Sequence, residues 1–191
     1  MEYLRNFVYS FYDVSENSFN EFVKIANNKS FNKNHEIVSL GEIPKYFYIL
    51  KSGVVRAYLI DDKGKEHTRT IYTPPTTTSN LSSLITKQPS NLIYECLTDC
   101  EFIECDYDAF YQLSSQHHDL SIFHYKVLEK IYIREETRIL ELSMLNATDR
   151  YQILLDKFPK IDQTINQYHI ASFLNITPVQ LSRIKKNLLK N

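Results

Sequence analysis

The sequence predicts an α+β protein in which a strand-rich region is followed by a long helix and then by a pair of short helices. Short β-branched and aromatic runs separated by glycine-containing turns occupy residues 31–106. Residues 119–145 contain neither glycine nor proline and repeat apolar residues at helical spacing. Residues 167–186 contain two short apolar stripes with a helix-start signal between them. These patterns predict three regions of different architecture.

Composition favours a soluble, folded chain. The 191 residues are 43% hydrophobic and 24% charged, and 11 Phe and 14 Tyr supply ample aromatic surface for a core. No apolar run approaches the ~18–20 residues that a membrane span needs, and the N-terminus lacks the basic and apolar regions of a secretory signal. Three cysteines argue against a disulfide framework and suit a reducing compartment. We therefore expect a cytoplasmic protein with no membrane partner.

The net charge of −1 conceals a gradient along the chain. Residues 1–118 hold 11 basic and 15 acidic side chains, whereas residues 166–191 hold four basic side chains, Lys190 among them, and no acid. A short basic block of this kind is either a solvated tail or a surface that binds phosphate. The residues around these cations favour the second interpretation.

A short helix over residues 15–28, with Ser15 as a suitable N-cap, precedes the strand-rich region. Gly41, Gly53 and Gly64 all fall in turns between apolar runs. Strands of this length joined by such turns are typical of hairpins in a β-barrel or sandwich. The predicted strands are Ile37–Leu40, Tyr46–Leu50, Val54–Ile60, Thr68–Tyr72 and Phe102–Cys105.

Residues 119–145 predict a helix of about 27 residues, roughly 40 Å long. Its apolar stripe must be covered, either by the chain's own β region or by the same helix of a second copy. A single small barrel cannot cover a stripe of that length, so we expect a dimerisation helix. The predicted dimer stripe consists of Leu120, Phe123, Val127 and Ile131.

Residues 167–186 predict a helix, a tight turn and a second helix. Asn175 stands at the turn, because asparagine tolerates left-handed backbone angles. Thr177, Pro178 and Gln180 then form a helix start, in which threonine and glutamine cap each other's amides and proline takes the first helical position. The predicted inner faces are Ile170, Ala171 and Leu174 on the first helix and Leu181, Ile184 and Leu188 on the second.

The outward face of the second helix carries cations and hydrogen-bonding groups but no acid. In a helix–turn–helix the N-terminal part of the second helix enters the major groove of DNA. There arginine suits guanine, glutamine suits adenine and valine methyls suit thymine, while the helix start suits a phosphate. An ordinary helical hairpin with a solvated basic face is the alternative. The candidate DNA-contacting residues are Thr177, Val179, Gln180, Ser182, Arg183 and Lys186.

The order of these regions resembles the Crp/Fnr family of bacterial transcription regulators. Leu40-Gly41-Glu42, Ser52-Gly53 and Val55-Arg56 are similar to the start of that family's cyclic-nucleotide-binding β-roll. Ile170–Leu174 and Leu181–Ile184 are similar to its helix–turn–helix. The resemblance implies a double-stranded, jelly-roll-like β-roll, a long dimerisation helix and a winged-helix-like DNA-binding domain whose wing is reduced or absent.

The resemblance also implies a function and partners. We expect a sensor domain at 1–118, a dimerisation helix at 119–145 and a DNA-binding domain at 146–191. The expected function is sequence-specific binding of double-stranded promoter or operator DNA as a homodimer, without enzymatic activity and with RNA polymerase as a candidate further partner. The alternative is a ligand-sensing or protein-interaction module whose helical tail binds protein, which a weak salt dependence of binding would indicate.

The predicted sensor domain departs from cyclic-nucleotide binders at their phosphate cassette. That cassette uses a glycine for close backbone approach, a glutamate for the ribose hydroxyl and an arginine for the cyclic phosphate. The matching stretch, residues 72–98, has no glycine or arginine, and Glu95 is its only acid. We therefore expect no cAMP binding of the usual kind and no required cofactor. Another small effector and a ligand-free scaffold are both compatible with the sequence.

The second helix departs from the family at its start. Pro178 and Val179 stand where the best-known members carry arginine and glutamate, and only Arg183 matches their later arginine. A known operator sequence therefore does not transfer to this chain.

Three cysteines and several histidines invite a metal-site interpretation that their spacing does not favour. A four-cysteine cluster needs one more ligand than the chain offers, and adjacent helical histidines point ~100° apart. A cupin-type enzyme needs more histidines than the strand region provides. We therefore expect neither a metal nor a catalytic site. The residues considered are Cys96, Cys100, Cys105, His35, His67, His117, His118 and His124.

Overall fold

The computed structural model describes residues 1–188, so Lys190 of the basic block lies outside the described residues. Two four-stranded antiparallel sheets form a β-roll, with helices before, beside and after it. The predicted α+β class with a β-roll and C-terminal helices is therefore confirmed. Within the described residues, no helix is both long and apolar enough to cross a membrane.

The two sheets contain all five predicted strands and three others. In spatial order the first sheet consists of β1 (Ala26–Phe31), β8 (Cys100–Asp106), β3 (Tyr46–Ser52) and β6 (Thr76–Thr78). The second consists of β2 (Glu36–Val38), β7 (Ile93–Cys96), β4 (Val55–Ile60) and β5 (Glu66–Tyr72).

The helices account for most of the remaining described chain. They are α1 (Glu2–Tyr9), α2 (Glu16–Lys24), α3 (Leu81–Thr86), α4 (Tyr107–Gln116), α5 (His118–Met144), α6 (Ala147–Lys157), α7 (Ile161–Thr164), α8 (Gln167–Phe173) and α9 (Pro178–Leu188). Ser15 caps α2 as predicted, since its side chain accepts a hydrogen bond from the Ser18 amide. The predicted helix over 15–28 was too long, because Ala26 already pairs with Cys105 in the first sheet.

Three apolar clusters hold these elements together. The first lies where α1, α2, α4 and the start of α5 cover the first sheet, and Phe22 and Phe123 are buried within it. The second fills the space between the two sheets around Leu50 and Phe102. The third joins the C-terminal helices to the roll, because Leu181 of α9 belongs to the same cluster as Ile71 of β5. The helix–turn–helix is therefore seated on the second sheet.

Gly53 shows why the turn between β3 and β4 needs glycine. Its φ of +92° is a conformation that side chains rarely adopt. A Cβ atom there would also lie 2.5 Å from both the Asp99 carbonyl oxygen and the Cys100 sulfur. The turn can therefore approach the neighbouring β7–β8 turn only without a side chain.

The structure contradicts the predicted dimer stripe on α5 at its first two residues. Leu120 and Phe123 are buried in the protomer's own first cluster, where no second chain can reach them. Val127 packs against the same cluster, and Ile131 lines a cavity beside the roll. The helix is thus packed against its own β-roll as far as Glu135, the alternative that the sequence left open. The rest of α5 extends toward the C-terminal helices, where Arg138 contacts Phe173.

Candidate nucleic-acid interface

The turn between α8 and α9 is built by local hydrogen bonds. Asn175 has a φ of +55°, the left-handed conformation that the sequence predicts. The next amide, Ile176 N–H, donates to the Ala171 carbonyl at 3.0 Å, closing the turn. Ala171 itself is fully buried, and its small side chain lets the two helices approach closely.

The start of α9 is the predicted capping box. The Gln180 amide donates to the Thr177 hydroxyl at 3.2 Å, and the Thr177 amide donates to the Gln180 side-chain oxygen at 2.8 Å. The Thr177 hydroxyl also donates to that same oxygen at 3.1 Å. The Gln180 side-chain oxygen is therefore occupied by the helix cap. A two-point contact with adenine would need the oxygen that Thr177 occupies in this conformation.

The outward face of α9 is open to solvent. Leu181 is fully buried and fixes the rotation of the helix, so that the side chains on the opposite side point away from the protein. Within residues 1–188, neither Arg183 nor Lys186 forms an ion pair, whereas Lys185 is held 2.6 Å from Asp162. The exposed predicted residues on this face are Val179, Gln180, Ser182, Arg183 and Lys186.

Two arginines anchor the helix–turn–helix to the long helix and to α6. Arg138 of α5 donates to the Phe173 carbonyl, and its guanidinium lies 3.9 Å from the centre of the Phe173 ring. Arg150 of α6 donates to the Leu174 carbonyl at 2.9 Å. Both bonds end on carbonyls at the C-terminus of α8, which helix geometry leaves without intrahelical partners. They fix the position of the turn, and this role was not predicted from the sequence.

The exposed side of α5 carries a second set of apolar residues, of which Tyr125 and Tyr132 were not predicted from the sequence. Tyr125, Tyr132 and Ile139 are 59%, 67% and 64% exposed and follow one another at intervals of seven residues. They lie on the side of the helix opposite Leu120 and Phe123. A heptad spacing could have revealed them, but the buried stripe has a stronger apolar pattern in the sequence.

The cysteines and histidines do not form a metal centre in the described part of the chain. Cys96, Cys100 and Cys105 are buried free thiols, and the first two lie between the sheets while Cys105 lies in the first cluster. No group of three or more potential ligands occurs among residues 1–188. His117 instead stands before α5, with its Nδ1 3.1 Å from the Ser18 hydroxyl.

Comparison with known proteins identifies the N-terminal part of the chain. Residues 28–117 match the cyclic nucleotide-binding domain family. The match covers 90 of the 191 residues. No curated protein matches the chain significantly.

Solved structures with the same arrangement as the whole chain belong to bacterial regulators. FixK2 from Bradyrhizobium japonicum is 17% identical, with a TM-score of 0.75 over 87% of this chain and 85% of that chain. The c-di-GMP-responsive global regulator CLP from Xanthomonas campestris is 17% identical, with a TM-score of 0.70 over 92% of each chain. A protein from Eubacterium rectale assigned to the Crp/Fnr family is 14% identical, with a TM-score of 0.71 over 93% and 84%. The predicted resemblance to that family is confirmed: this chain has the Crp/Fnr fold.

A cavity of about 440 Å³ lies between the β-roll and α5. At the position of the family's phosphate cassette the chain has α3, whose residues from Leu81 to Thr86 carry hydroxyl and alkyl groups. The charged side chains that line the cavity come instead from β5 and α5, namely Arg69, Arg134 and Glu135. The residues present therefore do not fit a cyclic nucleotide held by the usual cassette.

Proposed function

We propose that this chain is a sequence-specific DNA-binding transcription regulator that acts as a homodimer in the cytoplasm. The exposed face of α9 is the observation that carries the proposal. It presents Arg183 and Lys186 without carboxylate partners in the described chain, at the second helix of a helix–turn–helix. The Crp/Fnr fold supports the same function, and through it RNA polymerase is a proposed further partner.

In this proposal Arg183 contacts a base, most favourably a guanine, and Lys186 contacts a phosphate. In this proposal Thr177 and the Val179 amide contact a second phosphate at the start of α9, where Pro178 has no N–H and the Gln180 amide donates to Thr177. Val179, whose side chain is 61% exposed, contacts a thymine methyl group in this proposal. Because the Gln180 side-chain oxygen is engaged in the cap, Gln180 can contact DNA only as a hydrogen-bond donor, through its side-chain nitrogen.

Homodimerisation is proposed through the exposed side of α5. Tyr125, Tyr132 and Ile139 repeat every seven residues, the spacing of a two-stranded coiled coil. A dimer of this kind would present two copies of α9 to half-sites about one helical turn of DNA apart.

The test is fluorescence anisotropy on DNA from the protein's own upstream region, at several salt concentrations. Arg183→Ala should weaken binding by about 1–3 kcal/mol and relax the preference at one base position. Adjacent lysines provide a matched pair: Lys186→Gln should reduce the salt slope by about one, whereas Lys185→Gln, whose cation already pairs with Asp162, should leave it unchanged. Binding to a protein partner with little salt dependence would favour the interaction-module alternative instead.

A further inference from the structure

The cavity beside the β-roll has the size and lining of a binding site for a small organic molecule. Its volume of about 440 Å³ falls within the ~300–1,000 Å³ that is usual for ligand pockets. It lies between β3, β6 and α3 on one side and the first half of α5 on the other. Its lining combines a large apolar wall with a smaller polar end that carries charged and hydroxyl side chains.

The apolar wall consists of packed aromatic rings. The Phe110 ring centre lies 5.3 Å from that of Phe47 and 6.2 Å from that of Phe123. Ile49 and Leu84 are fully buried and line the same space. This wall offers apolar contact to an alkyl chain or an aromatic ring. It offers no hydrogen-bonding partner for a sugar or a phosphate.

The polar end carries a net positive charge. Arg69 and Arg134 both pair with Glu135, at 2.9 Å and 3.1 Å, so two guanidinium groups share one carboxylate. Burial lowers the pKa of His124, the other basic side chain of the lining, because it disfavours the charged imidazolium. The side chains of Arg69 and Arg134 are 48% and 34% exposed, which places the excess charge at the mouth of the cavity.

A buried hydroxyl without a partner points to a ligand at this end. Thr78 lines the cavity and is 2% exposed, and its side-chain oxygen has no hydrogen-bond partner within residues 1–188. Thr76 lies two residues earlier on β6, hence on the same face of the strand. Its hydroxyl is 3.5 Å from the Arg134 guanidinium. Arg134 therefore contacts β6 two residues away from the unpartnered Thr78 hydroxyl.

We propose that this cavity binds a monocarboxylate with an apolar body, such as a medium-chain fatty acid or an arylalkanoate. The apolar body occupies the aromatic wall, the carboxylate meets Arg134 and Arg69 at the mouth, and Thr78 donates its free hydroxyl to the ligand's polar end. This ligand class goes beyond the proposed function and does not depend on it, because binding is measured without DNA.

Isothermal titration of the full chain with decanoate and with 4-phenylbutyrate, kept well below micelle-forming concentrations, tests the proposal. At least one of these should bind saturably at one molecule per chain. 1-Decanol, which has the same apolar body without the charge, should bind at least about tenfold more weakly. Excess cAMP should not displace the carboxylate. Equal affinity for decanol, tighter binding of cAMP, or no saturable carboxylate binding by folded protein would each overturn the proposal.

Two variants locate the site. Arg134→Gln should weaken carboxylate binding by about tenfold or more, and Lys126→Gln, on an exposed part of α5 outside the cavity, should not. Thr78→Val keeps the shape of the side chain and removes only the hydroxyl. It should weaken binding several-fold without lowering the melting temperature, because the buried hydroxyl satisfies no group of the protein. A fall in stability with unchanged affinity would assign Thr78 a structural role instead.

Discussion

The Ser172 hydroxyl on α8 accepts a hydrogen bond from the Thr68 amide on β5 at 2.9 Å, and so joins the helix–turn–helix to the β-roll. Its own proton goes to the Glu66 carbonyl of the same strand at 3.1 Å. β5 is the last strand of its sheet, with unpaired backbone groups on its outer edge. One side chain thus occupies two edge positions that a further strand would fill. The same strand carries Arg69 and Tyr72 of the cavity, so it connects the two functional regions.

Replacing Ser172 tests this junction. Ser172→Ala leaves the Thr68 amide, in a residue only 5% exposed, without a partner. The free energy of unfolding should fall by about 1–3 kcal/mol, as for other orphaned buried donors. Hydrogen exchange at the Thr68 amide should become faster, which identifies the junction as the site of the loss. Ser182→Ala, on the exposed face of α9, is the control and should leave both stability and exchange unchanged. Unchanged exchange at the Thr68 amide in Ser172→Ala would contradict the prediction.

The capping box of α9 is expected to contribute measurably to stability. Thr177→Ala removes the hydroxyl that accepts the Gln180 amide hydrogen bond. The loss should be about 0.5–2 kcal/mol in a thermal or urea melt. Thr177→Ser retains the hydroxyl and should recover most of the stability. If serine and alanine destabilise equally, the threonine methyl group and not the cap is responsible.

Sequence reasoning succeeded where the deciding interactions are local. The cap at Thr177, the left-handed Asn175 and the cap at Ser15 each depend on groups within three or four residues, so the sequence contains both partners. It failed for β1, β6 and β7. β1 has four consecutive exposed residues, and its strand conformation comes from pairing with β8, which is remote in the chain. No alternation of polar and apolar residues marks such a strand.

The long helix illustrates a different limit. The apolar stripe through Leu120 and Phe123 predicted its helical form correctly, with α5 beginning one residue before and ending one residue before the predicted bounds. A stripe has the same pattern whether its own domain or a second copy covers it. The periodicity therefore did not determine which surface covers the stripe. In the structure Leu120 and Phe123 belong to the protomer's own first cluster, and Val127 packs against it. The Arg138 and Ser172 contacts were equally inaccessible, because they join elements far apart in sequence.

A buried arginine holds two carboxylates inside the second sheet. The Arg56 side chain is 3% exposed and lies 2.6 Å from both Glu66 and Glu95. Arg56→Met should cost about 3–5 kcal/mol, because it leaves two carboxylates facing each other in a partly buried site. Arg5→Met, which breaks the exposed pair with Glu16, is the matched control and should change the urea midpoint little. Similar effects of the two variants would contradict this assignment.

His169 on α8 should make stability depend on pH. Burial and the nearby Arg56 guanidinium lower its pKa from 6.5 to about 4. Between these two values the unfolded chain binds a proton that the folded chain excludes, so stability should fall as the pH falls from 6.5 to 4. Urea midpoints measured across this range should lose part of that slope in His169→Gln. His118→Gln, at an exposed position, should retain it, and a slope unaffected by His169→Gln would rule out this histidine as the cause.

The heptad row on α5, which consists of Tyr125, Tyr132 and Ile139, predicts a concentration-dependent dimer. A single negative charge introduced into this row should abolish the dimer. Ile139, at 64% exposure, lies beyond the part of the helix that the β-roll covers, so Ile139→Glu should leave the fold of the protomer unchanged. Two carboxylates facing each other across a coiled coil disfavour association, because each must give up its hydration in an apolar seam. Light scattering after gel filtration should give the dimer mass for the native chain and the protomer mass for Ile139→Glu. Thr137→Glu introduces the same charge away from the heptad row and should remain dimeric. If Thr137→Glu dissociates and Ile139→Glu does not, the interface lies on another face of α5.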